Sequence, residues 1–234
     1  AQDARAAERF AALGGTVAGE ADLKFGASAL PAEPSALAKL QQTLAGRRLL
    51  LAASTHPGED EQVLDAFTAL PEEGRPRLVI VPRHVERGPA IAEMARGRGL
   101  SVSLRSAEPE ALAAEVVVAD TLGELGLWFR LADLAVVAGS LVTGIGGHNP
   151  LEPARLSCPI LSGPHVENWL TAYADLSAVE GLILADVALL PQRLAAALAD
   201  PDAARARARS ALAFVEARDA ETRDGLNRIL ELVP

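Results

Sequence analysis

From Arg48 onward, short uninterrupted apolar runs alternate with stretches whose apolar residues recur every three or four positions. This alternation limits the possible folds more than any other feature. Runs such as Leu49-Leu50-Leu51-Ala52-Ala53 and Leu78-Val79-Ile80-Val81 have no polar face to turn toward water, so as strands they must be covered on both sides. Helical crossovers between parallel strands supply that cover. The pattern predicts strands at about 48–53, 78–82, 100–104, 115–119, 134–138, 159–162 and 181–184. Helices fit at about 58–70, 88–98, 122–132, 150–156 and 166–176, and Ala-rich segments at 187–199, 202–218 and 222–232 predict three closing helices. The fold class is therefore α/β, with a Rossmann-like, doubly wound, mostly parallel sheet.

The 234 residues, half of them hydrophobic, suffice for one sizeable core. Residues 1–25 combine a short helical pattern with Gly14-Gly15 and resemble the end of something preceding, and the absence of an initiator Met suggests a fragment or a processed chain. Two prolines and small residues make 26–35 a linker candidate before a short helix from Pro34 to Ala45. With 31 acidic and 22 basic residues the net charge is −9, which offers no positive field for a nucleic-acid backbone. No run of about twenty apolar residues and no signal-peptide order is present, so the chain itself is expected to be soluble. Cys158, in Cys158-Pro159-Ile160-Leu161, reads as a small buried hydrophobe.

All four histidines (His56, His84, His148 and His165) follow predicted strands. In a parallel sheet these loops lie at one edge, where ligands bind. Glu59, Arg83, Asp120, Glu124 and Glu152 crowd the same loops. No pair of histidines has the spacing of metal ligands on one element, so no metal is expected. Gly139-Ser140-Leu141-Val142-Thr143-Gly144-Ile145-Gly146-Gly147-His148-Asn149 leads into Pro150-Leu151-Glu152-Pro153. Asn149 suits an N-cap, Pro150 suits a first helical turn, and the glycine amides favour an anion such as phosphate, with Ser140 and Thr143 as further donors. The absence of Lys-Ser or Lys-Thr after the last glycine excludes an NTPase-type P-loop. Glu152 in such a helix would repel phosphate unless it faced a ribose diol, though Glu also simply favours helix N-termini.

Three further loops contribute candidates. Ser54, Thr55 and His56 would face the crevice. Arg83 is suited to bidentate anion contacts, while Arg87 reads as an ion-pair partner of Glu86. Asp120 and Thr121 would cap the following helix or touch a base.

At these residues the chain resembles the carboxyl-terminal half of the 3-deoxy-D-manno-octulosonic acid (Kdo) transferases, which attach Kdo to the lipid A precursor. The segments are Ala53-Ser54-Thr55-His56, Pro82-Arg83-His84 with Glu86-Arg87, Asp120-Thr121 with Gly123-Glu124-Leu125, Gly139-Ser140-Leu141-Val142, Gly146 through Ala154, and Gly163-Pro164-His165 with Asn168. The resemblance implies a GT-B glycosyltransferase whose donor, CMP-Kdo, is held mainly by this domain without a metal or cofactor. It implies that Ser140, Gly146 and Gly147 hold the CMP phosphate, that Arg83 neutralises it or the Kdo carboxylate, and that Glu152 binds the ribose. Ser54, His56, Asp120, His148 and Asn149 complete the donor-binding candidates. Residues 1–35 would be the end of an amino-terminal domain and the connection, and 36–234 the donor-binding domain. That other half would carry the membrane anchor, the acceptor site and the general base, so these residues would not catalyse transfer alone. The full protein would work at the cytoplasmic face of the bacterial inner membrane. A sugar-nucleotide epimerase of the same architecture, or a non-catalytic nucleotide-binding module, would use the glycine loop and Glu152 in the same way.

Overall fold

A computed structural model describes residues 1–2, 4–20, 22–108 and 112–231. Its strands are β1 (Leu49–Thr55), β2 (Arg77–Pro82), β3 (Val102–Leu104), β4 (Val116–Val118), β5 (Leu134–Val137), β6 (Ile160–Ser162) and β7 (Ile183–Leu184). They pair in the order β3-β4-β2-β1-β5-β6-β7, every pair parallel. The helices are α1 (Ala4–Ala12), α2 (Pro34–Leu44), α3 (Glu59–Thr68), α4 (Gly88–Arg96), α5 (Leu125–Leu131), α6 (Leu151–Arg155), α7 (Leu170–Ala178), α8 (Leu190–Ala199) and α9 (Pro201–Glu231).

The uninterrupted apolar runs are covered on both sides. Leu50, Ala52, Leu78, Ile80 and Val136 face a core shared with Val63 and Phe67 of α3, Ile91 of α4 and Leu194 of α8. Their sequence neighbours Leu49, Leu51, Ala53, Val79 and Ala135 face the opposite core, with Leu40 of α2 and Trp128 of α5. Burying each such Leu, Ile or Val is worth about 1.5–3 kcal/mol, so the period-two division of one strand between two cores fixes its register. Cys158 belongs to the second core at 1% exposure, and burial pushes its thiol pKa far up.

Two helix expectations change. The three closing helices are two, because α9 runs unbroken for 31 residues. Nothing between Arg218 and Thr222 stops a helix, and Asp219 there is anchored by Arg155. The segment expected over 166–176 opens as a 3-10 turn, Glu167–Trp169, before α7. The stretch read as a linker, 26–35, and the residue just before it both touch the domain. Phe25, 1% exposed, meets Phe214 of α9 edge to face at 5.8 Å, and Arg130 donates to the Leu30 carbonyl at 2.8 Å. Among the described residues no helix is long and apolar enough to cross a membrane.

Past β6 the backbone comes so close to the loop after β5 that a Cβ on Gly163 would lie 2.1 Å from the Ser140 carbonyl oxygen. Gly163→Ala is expected to cost about 2–3 kcal/mol in urea unfolding, at the upper end of overpacking. Gly19→Ala meets nothing within 4 Å and should change stability by less than about 0.5 kcal/mol.

Candidate functional site

β1 hands on to β2 on one side and β5 hands on to β6 on the other, so the loops leaving these two neighbours diverge. The crevice between them, beyond the carboxyl ends of the strands, is where open α/β sheets bind ligands. Its floor is set by one buried side chain. Glu59, 0% exposed in the first turn of α3, accepts from the amides of His56 (2.9 Å) and Gly139 (2.8 Å) through Oε2. Through Oε1 it accepts from Ser140 (3.0 Å) and Leu141 (2.9 Å). Three successive amides curled around an anion form a nest, and here the anion belongs to the protein.

β1 leaves the sheet abruptly. Its pairing with β2 shifts between Ala53 and Thr55, and Ser54 adopts φ 61°, a left-handed conformation that costs an ordinary L-residue roughly 1–2 kcal/mol. This kink turns His56 over the crevice. Gly139 (φ 72°) lets the opposite loop close in, since a Cβ there would lie 2.8 Å from His148 Cδ2. The His56 and His148 rings consequently stack, with centroids 5.0 Å apart and planes 15° from parallel, and their Nε2 atoms are 2.9 Å apart. At that separation one nitrogen must donate and the other accept, so the pair holds a single hydrogen between its rings. His84 meets His56 edge-on at 6.2 Å.

Burial lowers the pKa of both stacked rings. Desolvation brings His148 down to about 4, helped by His56 and Arg83, while a bond to the Ser54 backbone opposes the shift. His56 is lowered by desolvation, against the pull of Glu59, with His84, Arg87 and Arg83 adding to the decrease. Arg83 itself is exposed, its amide tied to the Thr55 carbonyl at 2.9 Å. Arg87 pairs with buried Asp60, not with Glu86 as expected, because its guanidinium turns inward to reach the Thr55 carbonyl as well. Glu152 is half-buried, and desolvation raises its pKa against the effects of Asn149 and Arg155. Among the described residues its side-chain hydrogen bond comes from Asn149 Nδ2 at 3.4 Å, which leaves acceptor capacity on both oxygens.

Several candidates have other employment. Ser140 is 0% exposed, its hydroxyl donating to the Val137 carbonyl (2.7 Å) and accepting from the Gly163 amide (2.8 Å), so neither it nor its amide is left for a phosphate. Gly147 donates to the Gly139 carbonyl (2.8 Å), and the Gly146 carbonyl accepts from the Asn168 amide (2.8 Å), which makes both glycines part of the loop's own folding. Asp120 neither caps α5 nor stands free, because Ser106 bonds both its oxygens at 2.9 and 2.6 Å. Asn149 is not the N-cap expected of it: Pro150 takes that place and the helix starts at Leu151, whose amide donates to Asn149 Oδ1 at 3.0 Å from one residue further out. His165 stands by Glu167 (3.9 Å), apart from the other three histidines. Among the described residues no group of three or more His, Cys, Asp or Glu is arranged to hold a metal.

Sequence reasoning placed Glu59 at the crevice and missed its role. The available signal was an acidic residue opening a helix opposite a glycine loop whose amides need an acceptor. It also missed the buried relay in which Ser162 bonds the Tyr173 hydroxyl (3.1 Å) and Tyr173 donates to the His148 carbonyl (3.1 Å), supporting the histidine loop from below.

The lowered histidine pKa values have a definite sign in stability. The unfolded rings, near 6.5, take up protons before the folded ones do, so stability conferred by the neutral pair is present above about pH 6.5 and is lost as pH falls toward 4. Urea unfolding at pH 7.5 and pH 5 should show a smaller acid loss for His148→Gln than for the parent chain.

No family model matches the chain. It is 37% identical over 139 residues to the 3-deoxy-D-manno-octulosonic acid transferase of Haemophilus influenzae, covering 58% of this chain and 32% of that protein. With the Bordetella pertussis transferase it shares 32% identity over 192 residues, 79% of this chain and 44% of the relative. The chain thus spans less than half the length of these relatives. It superposes on the C-terminal CMP-Kdo binding domain of WaaA from Acinetobacter baumannii with a TM-score of 0.70 at 30% identity, covering 76% of this chain and 97% of that one. The sheet and its flanking helices have the Rossmann-like fold of the GT-B glycosyltransferases. The likeness to these transferases, and to nearly the whole of that solved domain, places this chain in the 3-deoxy-D-manno-octulosonic acid transferase family.

Proposed function

We propose that this domain binds CMP-Kdo for an inverting transfer of Kdo to the lipid A precursor. The observation that carries the reading is that the loops leaving β1 and β2 bring the Arg83 guanidinium beside the histidine cluster, while the loop leaving β5 leads into a helix whose first turn holds a half-buried carboxylate with unused lone pairs. The rim is exposed Arg83 and His84 above the His56–His148 stack. The carboxylate is Glu152. Its likeness to a CMP-Kdo binding domain supports the same assignment.

In the proposed reaction an acceptor hydroxyl attacks the anomeric carbon of Kdo while the bond to the CMP phosphate breaks, and the bonding pair leaves with CMP. Negative charge collects on the departing phosphate, where the Arg83 guanidinium and the exposed His84 imidazole stabilise it. Glu152 accepts from the ribose hydroxyls, a charge-assisted contact that repays its desolvation. The Arg83 guanidinium supplies the charge compensation asked of the site, so donor binding is proposed to need no metal and no cofactor. The acceptor, the general base and the attachment to the cytoplasmic face of the inner membrane are assigned to parts of the protein outside these residues.

Isothermal titration of the chain with CMP and UMP tests the reading. CMP is expected to bind more tightly, and a preference for UMP would overturn the Kdo assignment. Glu152→Gln should weaken CMP by about 1.5–3 kcal/mol, the worth of hydrogen bonds to a charged group, and unchanged affinity would remove Glu152 from the ribose role. Addition of EDTA should leave the CMP isotherm unaltered.

A further inference from the structure

The glycine loop looked like an empty phosphate cradle. Three of its amides are already filled by Glu59, whose carboxylate also takes the His56 amide from the facing loop. One end of this four-point clasp is the loop that carries His56 and the other is the loop that carries His148. The last sheet-type bond between these neighbours is the Ala138 amide to the Ala53 carbonyl at 3.0 Å. Beyond it the strands part, and among the contacts bridging the two loops are the clasp and the ring pair itself.

We propose that Glu59 is a positioning residue for donor binding: by clasping the two switch-point loops it sets the His56–His148 stack and leaves the donor's anion to the side-chain rim instead of to amides 139–141. The inference rests on the donor reading only for its ligand; the geometry of the clasp stands apart from it. Glu59 is fully buried, so it touches no ligand and acts through the loops. The groups facing the rings are Glu59, Arg83, His84 and Arg87.

Glu59→Gln tests this with a change of sign. Glutamine keeps the shape but turns one oxygen into an NH2, which donates and so opposes amides that also donate. Removing the negative charge alone, with the loops unmoved, would lower the His56 pKa further, because Glu59 raises it. Opening of the clasp would instead rehydrate the rings and move both titrations up toward 6.5. Carbon-13 labelled histidine NMR across pH 3.5–8 reads the two outcomes separately. The expected result is an upward move of both rings in Glu59→Gln, a return toward the parent values in Glu59→Asp, and CMP affinity in Glu59→Gln weakened roughly tenfold or more. A further downward shift of His56, or parent-like titrations of both rings, would overturn the positioning role.

Should Glu59→Gln not fold, amide hydrogen exchange of the unmodified chain decides the matter. Slow exchange at His56, Gly139, Ser140 and Leu141 is expected with and without saturating CMP. Exchange as fast as open loop amides, or protection that arises only on adding CMP, would sink the proposal. If the unmodified chain binds no CMP, the donor reading falls, and the ring titrations still judge the clasp.

Discussion

The constraint on which this molecule depends is the need to hold two diverging loops together where a parallel sheet stops holding them. Strand hydrogen bonds tie β1 to β5 as far as Ala53 and Val137, and past that point the chain leaves in opposite directions. A single buried carboxylate continues the connection with four charge-assisted bonds. Each such bond contributes about 1.5–3 kcal/mol, which together can offset both the desolvation of Glu59 and the left-handed backbone of Ser54. The clasp helps to hold the kink at Ser54, together with the bonds that Arg83 and Arg87 make to the Thr55 carbonyl. The kink is the device that swings His56 over its neighbour.

Around this fixed floor the site is graded from rigid to open. Ser140, Ser162 and Tyr173 form a dry hydrogen-bonded base, and the stacked rings sit partly shielded above it. Arg83, His84, Thr143 and Gly144 are exposed at the rim. A floor that excludes water keeps the rings neutral, whereas a solvated rim keeps its guanidinium free to meet an anion. The division leaves an exposed guanidinium at the rim of a chain whose net charge is −9.

Much of this was legible in the residues. The uninterrupted runs of β1, β2 and β5 placed those strands within about two residues, because a strand buried on both faces leaves an unmistakable pattern. The division of α9 failed for the opposite reason. Its exposed face mixes charged residues with Leu226, Ile229 and Leu230 and gives no local stop signal, and continuity comes from contacts with α6 and the Phe25 turn, which lie far away in sequence. At the site, loop order brought His56, His84 and His148 to one edge. The partner of each amide could not be read from order, so Ser140 and Gly147 looked available when Gly163, Glu59 and Gly139 had already engaged them. The bond that Asn149 accepts was legible because it is local, from Leu151 two residues on.

Cys158 has a practical consequence. It is the chain's one cysteine, buried in the core behind β1 and β5, and burial holds its thiol in the protonated, unreactive form at any ordinary pH. Reagents that attack thiolates will therefore pass over the native protein. The chain behaves as a cysteine-free background, and a cysteine introduced at a loop tip such as Thr143 or Leu122 can take a fluorophore without any prior substitution in the core.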